Sequence, residues 1–212
     1  MGLFITFEGP DGCGKTSIIN LIKEYYKNNE KIIFTREPGG TEISEKIREL
    51  ILSNDNDKMS PRTEALLYSA SRAQHIDELV RPNLEKGNVV ISDRFVLSSL
   101  AYQGGGRELG VENVKKINEF AIDGVNPDLV IFFHVDPLTT LKRKSLSENA
   151  DRLELSGDDF HSRVYDTYME LLDKMKDQKG LRKVDATKSM EEVFETVKNI
   201  IDEKLEELLW RW

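Results

Sequence analysis

Short, almost uninterrupted apolar runs alternate along the chain with longer segments in which apolar residues recur at helical spacing. Leu3 to Glu8, Lys31 to Thr35, Val89 to Ser92, Leu129 to Val135 and Leu181 to Val184 read as strands. The third and fourth are nearly all apolar, as strands covered on both faces of a parallel sheet should be. Lys15 to Lys27 and Thr41 to Leu52 read as helices, the second from Ile43, Ile47, Leu50 and Ile51 on one face. Ser60-Pro61 supplies an N-cap and a first-turn proline to a helix that the pattern carries to Lys86-Gly87. Further helices are predicted over Val111 to Ile122, Pro137 to Lys144, Asp159 to Lys176 and Met190 to Leu209. The alternation predicts a three-layer α/β/α fold around a five-stranded parallel sheet.

Two stretches break this rhythm, Gln103-Gly104-Gly105-Gly106-Arg107 and the polar segment Ser145 to Asp158. Both fit plain surface loops, and the second also fits a closing lid, placed at about residues 143–158. A length of 212 residues suits one α/β domain over 1–212 with such a flap. The formal charge of −8 argues against broad attachment to nucleic acid or to an anionic membrane. A phosphate site must then be a local basic pocket. The start, Met1-Gly2-Leu3 running into a strand, carries neither leader nor anchor pattern, so a cytoplasmic protein is expected. Cys13 is the one cysteine, which rules out an intrachain disulfide and a cysteine-rich zinc site. Beside Gly14 and Lys15 its thiol would be reactive if exposed and inert if buried. His75, His134 and His161 are scattered and read as ordinary histidines.

The densest chemistry lies in Gly9-Pro10-Asp11-Gly12-Cys13-Gly14-Lys15-Thr16-Ser17, which fits G-x-x-x-x-G-K-[ST] between a strand and a helix. In such a phosphate loop, backbone N–H groups and the helix N-terminus hold the phosphates of ATP, and the lysine reaches the β/γ oxygens. Thr16 is a candidate for Mg²⁺, with Asp93 as a second. Asp11 is out of place in a polyanion cradle. Beyond the loop, Arg36 and Arg94 end the second and third strands, where an open α/β sheet gathers its ligands. Arg48 and Arg72 lie in the helices between them. No guanine-reading Asn-Lys-x-Asp follows the later strands, which disfavours a GTPase switch.

GPDGCGKTS, TREPGGTE, LLYSASRAQ, SDRFVLSSLAYQGGGR and ADRLE, in that order and spacing, closely resemble the bacterial thymidylate kinase family. The resemblance implies transfer of the γ-phosphate of ATP to dTMP with Mg²⁺, and a homodimer of packed helices. It places Asp11 at the 3′-hydroxyl of the acceptor, which accounts for the carboxylate in the loop. Tyr68 stacks on thymine, Arg72 meets O4, Ser98, Ser99 and Gln103 lie along the base, and Tyr102 crowds out a ribose 2′-hydroxyl. Arg36, Arg48 and Arg94 surround the acceptor phosphate, with Pro38 beside them. Lys15 and Arg94 are implied catalytic cations. Family members carry a further arginine either in the loop or in the lid. Gly12 stands at the loop position here, so Arg143, Lys144 and Arg152 become the candidates, Arg152 first. Lids of this type often hold arginines where this chain has Ser145, Leu146 and Ser147.

Other readings stay open on the residues alone. Another nucleoside monophosphate kinase would share loop and lid, and a deoxynucleoside kinase would need a base, for which Asp93 is placed. A non-catalytic nucleotide-dependent module would use the Leu208-Leu209-Trp210-Arg211-Trp212 end as a contact.

Overall fold

A computed structural model describes residues 2–135 and 151–209. The five predicted strands form one parallel sheet, β1 (Leu3–Glu8), β2 (Ile32–Arg36), β3 (Val89–Asp93), β4 (Leu129–His134) and β5 (Leu181–Asp185), in the order β2-β3-β1-β4-β5. Phe7 lies opposite Asp93, Arg36 opposite Asp93, and Glu8 opposite Phe132. The carboxyl ends of the three strands nearest the phosphate loop are therefore level with one another.

Successive side chains of a strand point to opposite faces, and both faces here are covered, which is why β1 and β4 read as continuous apolar runs. Ile5, Phe7, Ile131 and Phe133 pack against Ile18 and Ile22 of α1 (Lys15–Tyr25) and Val193, Val197 and Ile201 of the C-terminal helix α8 (Met190–Leu209). On the other face Phe132 and Val130 pack with Tyr168 and Leu172 of α7 (Asp158–Lys174), and Phe4 and Val90 pack with Ile76 and Val80. Each such fully buried side chain is worth about 1.5–3 kcal/mol.

The α2 helix (Glu42–Leu52) forms as its apolar spacing predicts, and α3 (Pro61–His75) begins where its cap predicts, with Ser60 accepting the Thr63 N–H at 3.3 Å. The long helix is not continuous to Lys86. It passes through a π turn at Ile76–Val80 into a short α4 (Arg81–Glu85). Pro82 fits this break: it has no N–H to offer the helical ladder one turn back. One residue on, Asn83 Nδ2 donates to the Leu79 carbonyl at 2.7 Å.

The glycine-rich stretch also departs from expectation. After α5 (Val96–Ser99) the chain makes a π turn over Leu100–Gly106, with Gln103, Gly104 and Gly106 buried, before α6 (Val111–Ile122). Glycine is a poor helix former, so the sequence reads as a loop. Tertiary packing decides otherwise. A Cβ on Gly105 would sit 1.8 Å from Thr167 Oγ1, and one on Gly106 2.6 Å from Phe160. The predicted helix 137–144 and the first half of the predicted lid, 143–150, lie outside the described residues. The end of that lid is packed, for Leu153 is only 5% exposed.

Gly105→Ala should lower stability by about 1–3 kcal/mol, the usual cost of overpacking. Thermal unfolding should show the loss, and adding Thr167→Ala should recover part of it; an unchanged melting temperature would refute the close approach.

Candidate active site

The phosphate loop joins β1 to α1. Gly14, at φ 87°, takes the left-handed conformation that a side chain would disfavour, and α1 opens behind it without a side-chain cap. The first-turn N–H groups are thus left for an anion, and the helix dipole favours one there. Lys15 is buried and its ammonium pairs with the carboxylate of Asp93 at the end of β3. Exposed Thr16 shares a groove with Asp93 and Arg36.

Asp11 turns out of the phosphate cradle. Its carboxylate lies 2.5 Å from Arg94 Nη2, and its backbone N–H donates to Tyr102 Oη at 3.1 Å. Arg94 is the first residue past β3 and holds a left-handed backbone, φ 70°, a conformation that costs a non-glycine residue about 1–2 kcal/mol. Its other nitrogen donates to the Gly9 carbonyl at 3.0 Å and to Ser98 Oγ at 2.9 Å, and the guanidinium lies over the Tyr102 ring. Burial works against this charge, but Tyr102 and Asp11 outweigh it and hold Arg94 protonated. Beneath it, fully buried Glu8 accepts from Phe95 N at 2.9 Å and Ser98 Oγ at 2.5 Å. Burial pushes the Glu8 carboxyl above its ordinary range.

Beside this pair opens a cleft between the phosphate loop and the helices of the sheet's carboxyl edge. Of the acceptor-site residues expected from the sequence, Asp11, Pro38, Arg48, Tyr68, Arg72, Arg94, Ser98, Ser99, Tyr102 and Gln103 all line it. Arg36 does not. Its guanidinium is exposed, pairs with Glu45 at 2.8 Å and lines the groove beside Thr16. Arg48 donates to the Pro38 carbonyl at 2.8 Å, in the turn that carries the cis Glu37-Pro38 bond.

Arg72 crosses the cleft floor in a buried network. Its Nε donates to Glu37 at 2.7 Å, and Nη1 donates to Ser99 Oγ at 3.1 Å and to Asn118. Burial raises the Glu37 carboxyl, but Arg72 and His75 together hold it below its ordinary value. His75, read as an ordinary histidine, is fully buried between Glu37 and Thr35, at 2.9 and 2.7 Å. Arg152, expected over the phosphates, is held elsewhere: Nη2 lies 2.8 Å from buried Glu64 and Nε donates to the Ile51 carbonyl at 2.9 Å. Arg143 and Lys144 lie outside the described residues.

Sequence reasoning missed Glu8, Glu37, Glu64, Asp151, Leu153 and Tyr168. Glu37 stands inside TREPGG, a motif with a glycine turn, and that was a usable signal. Glu64 and Tyr168 gave none, because helical glutamates and tyrosines are common and their partners are remote in sequence.

A phosphate loop at the carboxyl edge of a parallel sheet, facing a second cleft lined with arginines and an aromatic ring, defines a P-loop nucleotide-binding protein of the small-molecule kinase type. The family model described as thymidylate kinase matches residues 7–197. The chain is 58% identical over 193 residues to the thymidylate kinase of Finegoldia magna, covering 91% of this chain and 94% of that one. It is 49% identical over 203 residues to that of Clostridium novyi, covering 94% and 98%. The crystal structure of thymidylate kinase from Ehrlichia chaffeensis superposes with a TM-score of 0.75 at 28% identity, covering 95% of this chain and 98% of that one. The chain belongs to the thymidylate kinase family.

Cys13 is buried, and burial pushes its thiol above the ordinary value, with Lys15 opposing. The inert alternative therefore holds. Iodoacetamide should modify native Cys13 more slowly than a model thiol and reach the model rate only in denaturant; fast native labelling would contradict the burial.

Proposed function

We propose that the chain transfers the γ-phosphoryl group of ATP to dTMP, giving dTDP and ADP in the route to dTTP. The Asp11–Arg94 pair carries the reading, because it joins the phosphate loop to a cleft lined with the arginines and aromatic ring suited to a second nucleotide. Residues 9–17 take the ATP phosphates. In the cleft, Tyr68 stacks on the base, Arg72 donates to O4, and Ser98, Ser99 and Gln103 edge the ring. Asp11 accepts from the 3′-hydroxyl, and Tyr102 fills the space a 2′-hydroxyl would need. Arg48 and Arg94 hold the acceptor phosphate, with Arg36 approaching from the adjoining groove and Pro38 shaping the turn.

An acceptor phosphate carries about −1.5 to −2 charge near neutrality, so its oxygen needs no general base. The protein's task is alignment and charge neutralisation. Lys15 and Arg94 supply cations at the junction of the two sites. Thr16 and Asp93 are hard oxygen donors in one groove, and no group of three or more carboxylate, histidine or cysteine side chains among the described residues could cage a metal alone. Thr16 and Asp93 would hold Mg²⁺ beside the nucleotide phosphates, where it would supply charge neutralisation. We assign the remaining cation to the lid of a single domain spanning 1–212. Because Arg152 is fastened to Glu64, Arg143 takes the phosphoryl group and Arg152 secures the lid's end.

Leu50, Leu66 and Phe120 are exposed on the neighbouring helices α2, α3 and α6, Phe120 by 89%, and this supports a homodimer through those helices. No helix among the described residues is long and apolar enough to cross a membrane. Its substrates place such an enzyme in the cytoplasm, with no nucleic-acid partner.

In an acceptor panel of dTMP, dUMP, CMP, AMP and thymidine, ADP release should be fastest with dTMP. Arg72→Ala should cut kcat/KM for dTMP by about ten- to a hundredfold, from loss of a charge-assisted bond of about 1.5–3 kcal/mol, while the KM for ATP stays within a few fold. An unchanged dTMP kcat/KM would remove Arg72 from the base site. Arg143→Ala should lower kcat by about 10³-fold or more with little change in dTMP KM, as for other arginines that act in the transition state. Arg152→Ala should mainly lower the melting temperature; a kcat collapse there, with Arg143→Ala active, would exchange the two roles.

A further inference from the structure

Glu64, on the first turn of α3, has no part in the chemistry above, yet it is fully buried beside the cleft. Gln103 Nε2 donates to its Oε1 at 2.9 Å. Arg107 Nε lies 3.2 and 3.1 Å from its two oxygens, and Arg152 Nη2 lies 2.8 Å from Oε2. A carboxylate offers about four lone-pair sites, and these donors occupy them. It can only accept from Gln103. An amide has a donor end and an acceptor end, so the NH₂ of Gln103 has to face Glu64. The carbonyl oxygen is then the end left for the cleft that Gln103 lines, and among the described residues nothing donates to it.

Resting on the dTMP reading, we propose that Glu64 is a positioning residue for base specificity. It locks the Gln103 amide with its carbonyl toward the acceptor base, so the base must present a hydrogen-bond donor at ring position 3. Thymine and uracil carry an N3–H there. Cytosine carries an unprotonated nitrogen, whose lone pair would meet the Gln103 oxygen. Arg107 and Arg152 complete the lock by filling the remaining sites on the carboxylate, which ties the glycine-rich turn and the lid's end to the same group.

Glu64→Gln keeps the shape but offers Gln103 a donor, which lets the Gln103 amide turn over and present its NH₂ to the base. The assay is kcat/KM for dUMP and dCMP, neither of which has the thymine methyl group. These acceptors also differ at position 4, but Arg72 is untouched by the substitution, so a change in their ratio reports position 3. The dUMP:dCMP ratio should fall by about tenfold or more, with a gain on dCMP. If both acceptors lose activity alike and the ratio holds, Glu64 only supports the fold and the proposal is overturned. A wild-type protein that releases no ADP with either dTMP or dUMP would overturn the parent reading as well, a result distinct from an unchanged ratio in an active variant. Should the variant not fold, the wild type decides by NMR. The Gln103 side-chain amide protons, assigned by their loss in Gln103→Glu, should exchange about tenfold or more slowly against a free glutamine amide and hold their shifts when dTMP is added. Exchange at the free rate, or a large shift on dTMP binding, would overturn the proposal.

Discussion

The ion pair between Asp11 and Arg94 is the constraint on which the rest of this site depends. It ties the loop after β1 to the chain leaving β3, two strands that lie side by side, and so fixes the distance between the nucleotide cradle and the acceptor cleft. Arg94 can serve both only because its backbone is left-handed, which turns the side chain back over Gly9 and toward Ser98. That conformation is unfavourable alone. It is held by the β3 register, by the bond from its own N–H to the Phe7 carbonyl and by its carbonyl accepting from Ser92 Oγ.

Three buried carboxylates each hold a side chain that lines the cleft. Glu8 holds Ser98 and the start of α5, Glu37 holds Arg72 and His75, and Glu64 holds Gln103, Arg107 and Arg152. A buried carboxylate is costly unless donors offset its burial, and each of these accepts from at least two. The arrangement gives orientation rather than stability. Alanine in place of Glu37 or Glu64 would leave a buried arginine without its carboxylate, so the groups above would lose both position and support.

The phosphate-loop motif and the sheet were legible in the chain because their signals are local, whereas the cleft residues were named through the motifs that resemble a known family. A glycine-rich turn between a strand and a helix, a proline after a serine cap, and an Asp-Arg pair ending an apolar run each declare themselves within a few residues. The glycine-rich stretch 103–106 misled for the same reason. Its local propensity is that of a loop, while its fate was set by Thr167 and Phe160, some sixty residues away in sequence.

The sequence by itself therefore determined the fold class and the phosphate-loop motif, since hydrophobic period and motif spacing survive without coordinates, and its family resemblance named most of the residues that line the cleft. Tertiary structure alone decided direction: that Arg36 leaves the cleft for Glu45, that Arg152 is fastened to Glu64, and that Cys13 is buried. A charged side chain is read from sequence only as a charge. Which partner it faces depends on burial and on donors brought together from across the chain, and those exist only once the sheet and its helices have packed.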